Sequence, residues 1–137
     1  MINRSVVNAL RAFPWSDYRV YYAVLFGSIV KKGVGRDIDI AVEFINTFNL
    51  GEYSRLLTDL AEYLSIDNID LVPISDETDC YLIHEAFSDS MILYMASEEA
   101  WFRMHRRASI CEDFLIDAAK LNIVENAAHA LVKRWRS

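Results

Sequence analysis

Apolar runs with strand-like composition alternate with segments whose apolar residues recur at helical spacing. The strand-like runs cover 20–26, 37–42, 69–72 and 90–95. The helix-periodic segments cover 2–13, 81–87 and a stretch that opens at Asn49 or Gly51 and ends at Leu64. A helix between the second and third strands predicts that these two strands lie parallel in the sheet.

The pattern after Glu98 is helical and predicts one long helix or two, over 98–119 and 123–135, with a break near Leu121 and Asn122. The order of elements predicts an α/β (α+β) fold, in which helices flank a small mixed β-sheet and the C-terminal segment is helical. No repeat or linker is visible. We therefore expect a single domain over 1–137, with a core over about 1–96 and a helical segment over about 97–137.

Two carboxylates, Asp37 and Asp39, stand one residue apart in an apolar run. Because side chains alternate between the faces of a strand, both project to one face while Ile38 and Ile40 project to the other. Like charges so close repel unless a cation sits between them. A hard divalent cation with oxygen ligands is the usual resident, so the pair predicts a magnesium site.

A Gly27-Ser28 turn follows the first strand-like run. Glycine allows a phosphate to approach the backbone closely, and the hydroxyl of Ser28 can donate a hydrogen bond to a phosphate oxygen. Lys31, Lys32 and Arg36 follow in the connection to the aspartates, where they can add positive charge. The turn predicts the phosphate end of a nucleotide site, with Gly27, Ser28 and Arg36 as binding residues.

This ordered combination resembles the minimal nucleotidyltransferases (MNT) of the DNA polymerase beta-like superfamily. Their motif is an apolar strand, Gly-Ser, a spacer and then Asp-x-Asp in an apolar strand. Gly27, Ser28, Asp37 and Asp39 match it, although the spacer of eight residues is shorter than the usual ten. An ordinary α/β domain with an exposed acidic strand is the alternative interpretation.

The resemblance implies a third carboxylate on a later strand, and Asp70 fits that place. Asp67 is the competing candidate, but its neighbours are typical of a turn. Asp37, Asp39 and Asp70 would then be catalytic residues and ligands of two Mg²⁺ ions, with Asp70 acting as ligand or as general base. ATP would be the substrate.

The resemblance also implies an antitoxin that transfers AMP from ATP to a hydroxyl group, with a tyrosine of a partner HEPN-domain toxin as the expected acceptor. Two alternatives stay open. One is a nucleotidyltransferase that acts on RNA ends or on a small molecule, and the other is a non-catalytic antitoxin that neutralises its partner by binding.

Composition limits the partners. The formal net charge of −6 argues against stable nucleic-acid binding. An apolar content of 53% is high for a small chain and predicts a surface buried by a protein partner or in a homo- or hetero-oligomer. No apolar run is long enough to span a membrane, and the expected location is the cytoplasm.

Two further features favour structural roles. Cys80 and Cys111 have no metal-ligand spacing and are predicted to be small buried side chains rather than a disulfide framework. A basic cluster on the C-terminal helix is predicted to be a solvated helix face, with contact to RNA or an acidic partner as the alternative. Its members are Arg103, His105, Arg106 and Arg107, and a second cluster comprises Lys133, Arg134 and Arg136.

Overall fold

The computed structural model describes the backbone of residues 1–136 and the side chains of residues 1–123 and 125–127. Six strands and five α-helices follow one another in that part of the chain. They are β1 (Ile2–Asn3), α1 (Val6–Ala12), β2 (Val20–Phe26), α2 (Ser28–Lys32), β3 (Val34–Gly35), β4 (Ile38–Phe44), α3 (Leu50–Leu64), β5 (Ile69–Pro73), α4 (Cys80–Ser88), β6 (Met91–Met95) and α5 (Glu98–Arg136).

Four strands form a mixed sheet in the order β5-β4-β2-β6. Strand β2 pairs antiparallel with both β4 and β6, whereas β4 and β5 are parallel. The predicted α/β fold with a small mixed sheet and a helical C-terminal segment is confirmed, and so is the parallel pair. Its cause is the connection through α3, which carries the chain back to the end of the sheet where β4 began.

The alternation of side chains along β4 divides the core between the two faces of the sheet. Ile38, Ile40 and Val42 are fully buried on the face that also carries Leu56 and Leu60 of α3. The opposite face carries Asp39, Ala41 and Glu43, and helices α4 and α5 pack on that side. The polar residues of β4 therefore lie under α4 and α5, one near each end of the strand.

The sequence pattern did not predict the two short strands β1 and β3. The predicted helix over 2–13 is wrong at its start, since β1 occupies Ile2–Asn3 and α1 begins only at Val6. β1 pairs antiparallel with β3, with Ile2 opposite Gly35. A two-residue strand has no periodicity to detect, so its pairing with a distant segment is invisible in the sequence pattern.

Helix α5 runs from Glu98 to Arg136 as one helix, so the first alternative is confirmed and the break near Leu121 and Asn122 is absent. Among those residues of α5 whose side chains are described, Ala100, Met104 and Cys111 are buried, whereas several large apolar side chains from Ile110 onward are exposed. These are Ile110, Phe114, Ile116, Leu121 and Ile123. None of the helices in the described part of the chain combines the length and the apolar run that crossing a membrane demands.

The prediction for the cysteines is wrong: Cys80 and Cys111 form a disulfide, with their Cα atoms 5.0 Å apart. The bond joins the first residue of α4 to α5. Residues 31 positions apart carry no local signal for such a pair, because the packing of the two helices alone brings them together.

The first basic cluster is only partly a solvated face, which corrects the second structural prediction. Arg103 and Arg107 bind Glu43 of β4, while His105 stacks on Trp101 and Arg106 is exposed. The side chains of the second cluster, Lys133, Arg134 and Arg136, lie outside the described residues.

Candidate active site

The predicted phosphate turn lies where β2 ends. Gly27 follows Phe26 and adopts φ 83° and ψ −154°, a conformation that is essentially restricted to glycine. Its carbonyl oxygen accepts hydrogen bonds from the amides of Val30 and Lys31, which form the single turn of α2. Ser28 begins this helix with an exposed side chain, so its hydroxyl is accessible to a ligand.

The two aspartates of the Asp-x-Asp motif stand at the start of β4. Asp37 is exposed and precedes the strand by one residue, whereas Asp39 is half-buried inside it. The register pairs Phe26 of β2 with Asp39. This pairing brings the turn and the motif together, since a Cβ atom added to Gly27 would lie only 2.1 Å from Oδ2 of Asp39.

The third predicted carboxylate lies on the neighbouring strand. Asp70 is exposed on β5 and is the register partner of Asp39 in the parallel pair. Asp67 lies in the loop before β5, where its carbonyl oxygen accepts a hydrogen bond from the amide of Ile69. The structure therefore brings Asp70, and not Asp67, beside the Asp-x-Asp motif on a strand.

Burial, together with repulsion from neighbouring carboxylates, raises the pKa of Asp39. Burial is the largest cause, followed by the negative charges of Asp70, Asp37 and Glu85. Among the described residues, Asp37, Asp39 and Asp70 form no ion pair with a lysine or arginine side chain. Asp39 therefore lies at the centre of a group of negative charges in the described part of the chain.

Sequence reasoning missed Glu85, which lies on α4 above this face of the sheet. Its charge contributes to the raised pKa of Asp39. The helical pattern of 81–87 indicated a helix but not the face of the sheet on which it packs. Only the crossing of α4 over β2 brings Glu85 near the site.

A cavity of about 280 Å³ connects the phosphate turn with the motif. Polar residues from α2, from the connection between β3 and β4 and from β4 form its wall, together with residues from β3 and the N-terminus. They are Ser28, Lys32, Arg36, Asp37 and Asp39, together with Met1, Val34 and Gly35. The predicted binding residue Arg36 thus lines the cavity, whereas Asp70 lies beside Asp39 but outside its lining.

The same face of β4 holds a second charged group. Glu43 is buried, and its carboxylate accepts hydrogen bonds from the hydroxyl of Tyr22 at 2.7 Å and from Nε of Arg107 at 2.6 Å. Arg103 also donates to it. The period-two pattern that placed Asp37 and Asp39 on one face extends to Glu43, so this signal was present in the sequence.

Solved structures of known proteins resemble this chain over nearly its whole length. A toxin–antitoxin complex solved with AMP-PNP contains a chain with a TM-score of 0.61 and 21% identity, covering 92% of this chain and 98% of that chain. A chain from a mutant of the toxin–antitoxin MntA-HpeT matches with a TM-score of 0.59 and 20% identity, over 93% and 98% of the two chains.

A third structure comes from Shewanella oneidensis and holds a tri-AMPylated HEPN toxin in complex with an MNT antitoxin. Its match has a TM-score of 0.55 and 21% identity, over 90% of this chain and 92% of that chain. No curated protein matches the chain significantly. At these identities the three likenesses establish the fold, which is the nucleotidyltransferase fold expected from the sequence.

A comparison with protein-family models shows the family as well as the fold. The model of the family "Polymerase beta, Nucleotidyltransferase" matches residues 13–99, a segment that contains the phosphate turn and all three aspartates. The chain belongs to the polymerase beta nucleotidyltransferase family.

Proposed function

We propose that this chain is a Mg²⁺-dependent nucleotidyltransferase that transfers AMP from ATP to a hydroxyl group. One observation carries the proposal: the backbone of Gly27 lies against the carboxylate of Asp39, and Asp39 is the register partner of Asp70. This arrangement puts a turn suited to phosphate beside three carboxylates. A solvated acidic strand would not need the close approach between Gly27 and Asp39.

The donor set fits a magnesium site. Carboxylate oxygens are the ligands that Mg²⁺ prefers, and a cation would relieve the repulsion that raises the pKa of Asp39. No three acidic, histidine or cysteine side chains of the described residues converge closely enough to enclose an ion. Mg²⁺ does not require such a cage, because one or two carboxylates and the phosphates of a substrate usually hold it.

Asp37, Asp39 and Asp70 are the residues that would hold the metal. Bound Mg²⁺ supplies charge stabilisation for the triphosphate and for the attacking and leaving oxygens. Ser28 and Arg36 would orient the phosphates in the cavity. The acceptor oxygen bonds to the α-phosphorus, the bond from that phosphorus to the bridging oxygen breaks, and pyrophosphate leaves. Asp70 serves as a ligand or accepts the hydroxyl proton.

The proposed acceptor is a tyrosine of a HEPN-domain toxin, so that the chain acts as an antitoxin in the cytoplasm, where ATP is available. Support comes from the shared fold with a chain of the complex that holds the AMPylated HEPN toxin. The exposed apolar residues on α5 provide area that a protein partner could cover. The division into a core over about 1–96 and a helical segment over about 97–137 stays part of this proposal.

Transfer of label from ATP carrying radioactive phosphorus at the α position tests the proposal. The native chain is incubated with Mg²⁺ and a lysate of its host, beside the Asp37→Asn, Asp39→Asn double variant. Label on a protein band with the native chain alone supports adenylylation of a partner, and mass spectrometry then identifies the acceptor residue. Label on RNA or on a small molecule would mean that this molecule, and not a toxin, is the acceptor. If no nucleoside triphosphate gives any label, the chain acts as an antitoxin by binding alone.

A further inference from the structure

The N-terminal segment forms one wall of the nucleotide cavity. Strand β1 pairs with β3, and Met1 lines the cavity together with Ser28. Gly35, the register partner of Ile2, packs directly on α2, because a Cβ atom added to it would lie 3.1 Å from Cβ of Ser28. Residues 1–4, β3 and the start of α2 therefore form one continuous structure.

Arg4 fastens this segment to the other end of α2. Its Nε donates to the carbonyl oxygen of Ile29 at 3.3 Å, and its Nη2 donates to the carbonyl oxygen of Val30 at 2.6 Å. The last carbonyl groups of a helix have no partner within the helix, and a cation at that end also interacts favourably with the helix dipole. Arg4 thus binds two carbonyl groups of α2 from outside the helix, and the carbonyl oxygen of Ile29 also accepts a hydrogen bond from the amide of Gly33.

Helix α2 needs such support because it is only five residues long. A single helical turn is not stable by itself, since fixing its residues costs more free energy than its few hydrogen bonds return. Ile29 is the one residue of α2 that is buried. The two hydrogen bonds from Arg4 add to the packing of Ile29 and Val30 on the core and to the αL cap at Gly33.

We propose that Arg4 is a positioning residue for ATP: it holds α2, and through α2 the hydroxyl of Ser28, at the phosphate end of the cavity. The inference rests on the proposed nucleotidyl transfer. Arg4 acts through the helix and does not contact the reacting atoms. Losing it should weaken ATP binding while leaving Asp37, Asp39 and Asp70 in place, because their strands do not depend on this contact.

The chain offers a matched control. Arg11 is also exposed, and its Nε also donates to a backbone carbonyl oxygen, that of Ile92 at 3.1 Å. Ile92 lies on β6 and does not line the cavity. Arg4→Ala and Arg11→Ala therefore remove the same side chain and the same kind of hydrogen bond at two different places.

Steady-state kinetics of the full chain with Mg²⁺ and ATP gives the first readout. Loss of two charge-assisted hydrogen bonds at an exposed site should raise the KM for ATP about three- to tenfold in Arg4→Ala. The kcat should stay within about twofold, as expected when an interaction with bound substrate is weakened and the chemical step is kept. Arg11→Ala should match the native chain, and Arg4→Lys, which keeps the positive charge but has only one donor nitrogen, should be intermediate.

Amide hydrogen exchange gives a second readout that does not need activity. Exchange over residues 29–33 should accelerate in Arg4→Ala and stay unchanged in Arg11→Ala, because local opening follows the loss of local contacts. If the native chain transfers nucleotide but Arg4→Ala leaves both the KM and this exchange unchanged, the inference is wrong and the proposed function stands. If the native chain neither binds nor transfers ATP, the proposed function is wrong and the inference falls with it.

Discussion

The carboxylate of Asp39 lies so close to the backbone of Gly27 that no side chain fits at position 27. A Cβ atom there would lie 2.1 Å from Oδ2 of Asp39 and 3.0 Å from its Cγ. The backbone conformation at Gly27, with φ 83°, independently disfavours every residue except glycine. Because Phe26 and Asp39 are register partners, this contact follows from the pairing of β2 with β4.

Gly27→Ala should abolish most of the activity. The methyl group displaces the Asp39 carboxylate, and a misplacement of about 1 Å in a catalytic group costs on the order of 100-fold in rate. The strained backbone should also lower the free energy of unfolding by about 1–3 kcal/mol. Rates of label transfer and urea denaturation measure the two effects separately.

Gly33→Ala separates backbone strain from displacement of Asp39. Gly33 has the same φ of 83° but lies in the milder αL region, with ψ −12°, and a Cβ atom added there meets nothing within 4 Å. The Gly33→Ala variant should lose about 1 kcal/mol of stability, the usual cost of a side chain at such a φ, and should keep most of its transfer rate. Equal losses of rate in the two variants would show that strain, rather than the contact with Asp39, explains the result.

Asp39→Asn should stabilise the chain while abolishing transfer. The pKa of Asp39 is raised above its ordinary value of 3.8 by burial and by Asp70, Asp37 and Glu85. The folded state therefore binds the proton more tightly than the unfolded state. Stability that is present at low pH is lost as the pH rises through the folded pKa, so at neutral pH the ionised carboxylate destabilises the fold.

Thermal unfolding with a chelator at pH 7 checks the sign of this effect. The Tm of Asp39→Asn should exceed that of the native chain, and added Mg²⁺ should raise the Tm of the native chain more than that of the variant. Asp67→Asn serves as the control, because Asp67 is exposed in a loop and should change neither quantity. A lower Tm for Asp39→Asn would contradict the electrostatic interpretation.

The sequence predicted the parts of the site that depend on strand pattern. Alternation places Asp39 opposite the buried Ile38 and Ile40, and the apolar flanks of Asp70 placed it on a strand. The α3 connection makes β4 and β5 parallel, and the register then pairs the two aspartates. The strand assignments use local hydrophobic periodicity, whereas the register that pairs the two aspartates comes from the structure.

The features that the sequence did not predict arise from distant contacts. Glu43 meets Arg107 across 64 positions of sequence, and Arg4 reaches Val30 across 26. A charge on a helix has the same local pattern whether it faces solvent or a buried carboxylate. Only the packing of α5 on the sheet decides which of these applies, and a single sequence carries no direct record of that packing.

The roles of Asp70 and Asp67 are separated by a pair of variants. Asp70→Asn should slow transfer by about 100-fold or more, because general acid–base groups typically contribute that much. Its effect on ATP binding should be smaller, since Asp37 and Asp39 remain. Asp67→Asn should behave like the native chain. Single-turnover rates and equilibrium ATP binding distinguish the two steps, and the reverse pattern would mean that the third carboxylate is Asp67.

Glu43 should support stability rather than chemistry. Burial alone would raise the pKa of Glu43, but hydrogen bonds from Arg107, Tyr22 and Arg103 outweigh it and lower the pKa below its ordinary value of 4.5. Stability from this group is therefore present above pH 4.5 and is lost as the pH falls through the folded pKa. The network joins α5 to β4, so its loss should loosen the helix.

Glu43→Gln should lower the free energy of unfolding at pH 7 by about 3 kcal/mol, because it leaves the guanidinium group of Arg107, whose side chain is only 14% exposed, without its buried counter-charge. It should also make unfolding less sensitive to acid than in the native chain. Asp76→Asn is the control: Asp76 binds Arg107 at 3.0 Å but is 97% exposed, so its loss should cost no more than about 1 kcal/mol. Urea denaturation between pH 3 and 7 measures both variants. If Glu43→Gln unfolds like the native chain but transfers nucleotide slowly, Glu43 belongs to the reaction and not to the scaffold.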